Sequence, residues 1–181
     1  MQLHETDPSA PHWWDAKWFL ILIAVLMSVP FWWPTIPPLT DLFGHIGRYS
    51  IQLNLATSPS LQQWYGFDWA LVGNLGVDLL VMVIAPVIGL EPAVKLIIMA
   101  IPVISTIGVF WISREVHGRV SPVAFMALPF IYGHPFMFGF VNFALAMGLR
   151  LNAFALWLRL GRLGRRRLRF WLFLPIGLFV W

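Results

Sequence analysis

The stretch FGFVNFALAMGLRLNAFALWLRLGRLGRRRLR, Phe138 to Arg169, decides what kind of molecule this is. Its first 21 residues, to Leu158, carry one charge, Arg150. As a helix they rise about 32 Å, against about 30 Å of bilayer hydrocarbon. The eleven residues that follow hold six arginines. An apolar run of this length that ends on a basic cluster reads as a membrane span followed by a cytoplasmic loop. Such a cluster could also meet nucleic acid, but this one lies between two apolar segments, so no nucleic-acid partner is expected.

Composition agrees. The chain has 181 residues, of which 59% are hydrophobic and 11% charged, and its mean hydropathy is +0.76. A soluble domain carries about 25% charged residues. A chain this poor in charge cannot cover a surface facing water, which makes membrane lipids its main partners. The formal charge of +4 is local, since half of the twelve basic residues stand at 159–169. There is no cysteine, which excludes disulfides and thiol chemistry.

Working outward, residues 1–17 read as a polar tail of mixed charge, and residues 18–181 as a transmembrane domain. Trp18–Trp33 is a first span, with tryptophans at both ends as interfacial belts and Pro30 to kink or end it. Its acidic flank and the lack of a small-residue cleavage site argue for a retained helix over a signal peptide. Residues 34–72 form the longest non-spanning segment. Leu75–Leu90 is expected as a second span, and a turn at Glu91-Pro92 leads to a third at about Lys95–Ser113. Val123–Tyr132 is a short apolar run broken by Gly133-His134-Pro135. Phe170–Trp181 is apolar to the last residue, yet twelve residues rise only about 18 Å as helix. That partial span implies a longer parent protein. The fold expected is therefore all-α: a polytopic transmembrane helical bundle of about four spans, plus an interfacial helix and a partial last span.

Sidedness follows from the arginine cluster. If 159–169 is a cytoplasmic loop, Phe138–Leu158 runs inward. Val123–Tyr132 is too short to cross as a helix, and the expectation is that it dips in and returns. The third span then runs outward, the second inward and the first outward, with a cytoplasmic N-terminus and residues 34–72 as an external loop. A crossing at Val123–Pro135 would reverse that parity.

The external loop opens with PTIPPLTDLFGHIGRYSIQL, Pro34 to Leu53. On a helix, Asp41, His45, Arg48 and Gln52 share one face, while Leu42, Ile46, Tyr49 and Leu53 share the next. Thr40 is placed to cap that helix, after the punctuation of Pro37-Pro38. The pattern predicts a helix lying in the interface, one side in lipid and one side wet. Spacing alone also allows a plain wet face, with Asp41 serving the helix dipole and Arg48 meeting a lipid phosphate.

PPLTDLFGHIGRYSI, followed by VGNLGVDLL and GHPFMFGFVNFALAMGL, resembles a group of bacterial polytopic membrane proteins without assigned activity. That group is distantly similar to the GT-C superfamily of membrane glycosyltransferases. The likeness covers about residues 18–160, and its most specific pieces are the D-x-x-x-H spacing and GFVNF. The resemblance implies a bacterial inner-membrane location and a polyprenyl-phosphate sugar as donor, with no cofactor. It implies Asp41 as general base for inverting transfer, Arg48 on the donor phosphate, and His45 orienting Asp41 or touching the same phosphate. Two departures stand out. Many of those enzymes pair two acids in this loop, whereas Leu42 follows Asp41 here, and they have many more spans.

Other polar residues are candidates for the same cavity. Asp68 sits among Trp64, Tyr65 and Trp69, an aromatic shelf for a sugar or a belt with a capping acid. Asp78, inside the second span with Asn74 one turn before it, costs about 2.5–3.5 kcal/mol if central, so it needs water or a partner. It reads as a cavity member or as a partner of Arg150. His134 and Asn142 flank the helix break at 133–139, as cavity lining or as satisfied kink residues. Metal binding has little support, since Asp41 and His45 are too few ligands. A transporter whose pathway is lined by Asp78, Arg150 and the broken helix, or a non-catalytic membrane subunit, would use the same residues differently.

Overall fold

The structure, a computed structural model, describes residues 12–68, 70, 73 and 75–179. The tail acids at 5 and 7, Trp69 and Asn74 lie outside these residues. Among the described residues there are nine α-helices, three short 3-10 turns and no strand.

Helix α1 spans Lys17–Leu26. It stops early because Ser28 turns its hydroxyl back onto the Val25 carbonyl at 2.7 Å and Pro30 sits in the 3-10 turn Val29–Phe31 that follows. Helix α2 spans Leu42–Asn54, and α3 is the single turn Pro59–Gln62. Helix α4, Gly76–Ile88, meets α5, Leu90–His117, at Gly89, whose φ of +91° suits glycine. The expected turn at Glu91-Pro92 is thus the first turn of α5. A broken segment follows: α6 at Pro122–Met126, a 3-10 turn at Leu128–Tyr132, and α7 at His134–Phe138. Helix α8 covers Val141–Arg162, and α9 covers Arg166–Phe179. The basic cluster is accordingly a tight turn at Gly164, φ +67°, between two helices that share its arginines.

Among the described residues two helices, α5 and α8, are long and apolar enough to cross a membrane. The expected second span is corrected. Helix α4 has 13 residues, about 20 Å, which is too short for a crossing. It folds back on the start of α5 as a hairpin, with Val77, Val81 and Ala85 in the same core as Ala93, Val94, Ile97 and Ile98.

The direction of α5 is also corrected. Gly148 lies against Ser105 and Gly108 against Leu151 and Asn152. The Asn152 amide donates to the Ile104 carbonyl at 2.8 Å, and Arg162 pairs with Glu115 at 2.8 Å. Residue numbers rise together along both helices, so α5 and α8 are parallel. The segment between them must therefore return the full length of the bundle. It does so beside α1: Phe19 meets Phe125, the Tyr132 hydroxyl donates to the Met27 carbonyl, and Phe31 meets Phe136. Residues 122–138 traverse rather than dip and return. Prolines and glycines break the helix, but two packed neighbours support the irregular backbone. Because α4 does not traverse and 122–138 does, the two departures cancel in the count. The start of α2 and the arginine cluster end at opposite ends of the bundle.

Helix α1 runs antiparallel to α5: Arg114 pairs with Asp15 at 2.6 Å at one end, and Lys95 donates to the Trp32 carbonyl at 2.9 Å near the other. The apolar face of α2 is not turned to lipid. Leu42 and Tyr49 are fully buried, and Ile46 and Leu53 pack on the core that α4, α5 and α8 share. Each such burial is worth about 1.5–3 kcal/mol, so protein packing holds this helix in place.

Candidate functional site

The site forms where α2, α4, α7 and α8 begin or end together. The backbone N–H groups of Thr40 and Asp41 donate to the Met137 and Phe138 carbonyls at 3.3 and 2.9 Å. These bonds join the chain entering α2 to the chain leaving α7. Gly139 makes the approach possible: its φ is +103°, and a Cβ there would stand 2.9 Å from the Asp41 nitrogen. Asp41 itself, not Thr40, occupies the N-cap position, and neither side chain caps the helix. The Asp41 carboxylate makes no hydrogen bond or ion pair with a described residue. It is left facing a cavity of about 510 Å³ whose lining includes Thr40, Gly44, His45, Arg48 and Asn142.

Arg48 is held from behind. Its Nη2 donates to Asp78 Oδ2 at 2.9 Å and lies 2.8 Å from Oδ1. One nitrogen thus lies within ion-pair distance of both carboxylate oxygens but hydrogen-bonds Oδ2 alone, and the remaining guanidinium donors are not committed to Asp78. The pair is asymmetric in burial: Asp78 is 1% exposed and the Arg48 side chain 45%. Asn142 completes the anchor. Its Oδ1 accepts from the Val77 N–H at 2.7 Å, satisfying a free donor at the start of α4, and its Nδ2 donates to Asp78 Oδ2 at 3.4 Å. Arg150, the other possible partner of Asp78, lies elsewhere, in a groove with Trp157 and Phe173 between α8 and α9.

His45 stands one turn below Asp41, its ring stacked 6.1 Å from Tyr49. Burial holds its pKa below the ordinary 6.5, and the Arg48 charge adds to this, against opposing pulls from Asp41, Asp78 and the Gly139 carbonyl. The imidazole is neutral at pH 7 and can both donate and accept. Tyr49 forms the floor. Burial, reinforced by the Asp78 charge, pushes its phenol up to about 12, so it remains protonated and is no base. Arg48 beside its hydroxyl pulls the other way, and both amide atoms of Gln52 are buried without partners among the described residues.

The sequence candidates therefore separate. Asp41, His45, Arg48 and Asn142 line one cavity, and Asp78 sits behind it. Asp68 is exposed and outside that lining. His134 is exposed and stacks on Phe138 at 5.4 Å. Among the described residues no three His, Cys, Asp or Glu side chains gather as a metal site requires. Two contributors escaped the sequence reading. Gly139 was legible only as a helix breaker, although its place before the Val141 helix start was a usable signal. Tyr49 hid among the apolar face of α2.

The cavity and the basic cluster stand about 26 Å apart, the rise from Asn142 to Arg159 along α8. That is close to the hydrocarbon thickness of a bilayer.

No family model matches the chain, and no curated protein or solved structure matches it.

Proposed function

We propose that this chain is a multi-pass inner-membrane protein that transfers a sugar, with inversion, from a polyprenyl-phosphate donor at the external face. Four passages would cross the bilayer: α1 with its following turn, α5, the broken segment 122–138, and α8. The exposed apolar side chains of α1, such as Trp18, Ile21 and Val25, suit a lipid surface. The arginine cluster favours the cytoplasmic side by the positive-inside rule. The cavity then opens at the opposite boundary, at the depth of a lipid-borne phosphate.

One observation carries the chemistry. An unpartnered carboxylate, Asp41, and a guanidinium with donors to spare, Arg48, face the same cavity. An acceptor hydroxyl attacks the anomeric carbon while Asp41 takes its proton. The bond from that carbon to the phosphate oxygen breaks on the far side, and the polyprenyl phosphate leaves with the electron pair. Arg48 donates to the departing phosphate, where charge-assisted bonds are strongest. Neutral His45 stands one turn from Asp41, with the Gly139 carbonyl close enough to oppose the fall of its pKa. The transporter reading needs Asp78 and Arg150 along one pathway, whereas Asp78 lies behind the Asp41 cavity and Arg150 lines the separate groove between α8 and α9.

The test is Asp41→Asn in the full-length protein, assayed with a polyprenyl-phosphate sugar. Transfer is expected to fall by about 10²–10⁴-fold, with insertion and folding intact. Equal transfer by both forms, or none by either, contradicts the reading.

A further inference from the structure

A second cavity, about 410 Å³, lies at the other end of the bundle between α1, α5 and α8. Its charged lining falls into two groups. Arg114 and Glu115 are already neutralised: Asp15 lies 2.6 Å from Arg114, and Arg162 lies 2.8 Å from Glu115, which is 4% exposed. Trp111 adds an indole N–H bond to Glu115 at 3.1 Å. Lys17 and Arg159 have no ion pair among the described residues, and both are exposed. Among the described residues the groove thus carries two positive charges that no ion pair compensates.

Its walls change character along the bundle axis. Ile21 lies one turn beyond Lys17 on α1, and Ile107 lies one turn beyond Trp111 on the antiparallel α5. Both point the same way, toward the far end of the bundle. They are exposed, at 64% and 45%. The groove therefore presents cations, then an indole at the boundary, then hydrocarbon about 6 Å deeper. That sequence of chemistries matches a phospholipid standing upright.

We propose that this groove is a binding site for one anionic glycerophospholipid of the leaflet that faces the arginine cluster. Lys17 and Arg159 clamp its headgroup phosphate, and one acyl chain lies along Ile21 and Ile107. The inference needs the membrane placement but not sugar transfer, so the two can fail separately.

The experiment is native mass spectrometry of the full chain released from bilayer discs of equal phosphatidylglycerol and phosphatidylcholine. The wild type is expected to retain one phosphatidylglycerol in preference to phosphatidylcholine. Each basic residue near an anionic surface is worth about 1 kcal/mol, so Lys17→Gln with Arg159→Gln should cut that preference about thirtyfold. Arg166→Gln with Arg167→Gln, on the exposed start of α9, should leave it unchanged. Ile107→Trp, which fills the groove but spares both cations, should abolish retention and guards against a misfolded double variant. Four results overturn the proposal: no preference in the wild type, an unchanged preference in the Lys17/Arg159 variant, an equal loss in the Arg166/Arg167 variant, or full retention in Ile107→Trp.

Discussion

Asp78 and Arg48 share one ion pair but not one environment, and the difference is measurable. Removing Arg48 leaves a carboxylate that is 1% exposed without its counter-charge, and breaking a buried pair in this way costs about 3–5 kcal/mol. Removing the Asp78 charge leaves a guanidinium that is 45% exposed and can turn into the cavity. Thermal unfolding in detergent should show Arg48→Met clearly less stable than Asp78→Asn. The reverse order would mean that Asp78 is wetter than its burial indicates. At this scale the sequence was informative within a helix and silent between helices. Asp41, His45 and Arg48 could be grouped because the period of α2 repeats every 3.6 residues. The sequence offered Arg150 as partner of Asp78 and missed Arg48, because the pairing depends on how α2 and α8 dock 30 and 64 residues away.

Among the elements, the joint between α2 and α7 depends on Gly139. A side chain there meets two costs: the left-handed backbone, about 1–3 kcal/mol, and a Cβ 2.9 Å from the Asp41 nitrogen. Gly118 provides the control, with φ +74° and open space around it. Gly139→Ala is expected to lower the unfolding temperature more than Gly118→Ala, and to reduce transfer as Asp41 shifts. Equal loss in both would show that the contact with Asp41 carries no weight. Helix existence was legible here from apolar runs and proline punctuation. Helix length was less so: α4 reads as a span because its 13 residues are almost wholly apolar, yet that apolarity serves a hairpin core with α5. The buried face of α2 misled for a related reason. Periodicity shows that one face is apolar but not whether lipid or protein covers it.

For the whole molecule, the claim on which the function rests is that the Asp41 cavity and the arginine cluster occupy opposite faces of a membrane. Composition pointed to lipid at once, and among the described residues two helices are long and apolar enough to cross a membrane. The path between faces was not, because the parallel packing of α5 and α8 is set by close approach at Gly108 and Gly148. No sequence rule fixes that direction. A broken passage such as 122–138 also lacks the length signal of a span. The chain contains no cysteine, so single cysteines can report position without background. Thr40→Cys, exposed at the cavity, and Arg166→Cys, exposed in the cluster, should be probed with a membrane-impermeant maleimide on spheroplasts. Thr40→Cys is expected to label on intact spheroplasts and Arg166→Cys only after permeabilisation. Labelling of both from the same side would contradict the architecture and the chemistry built on it.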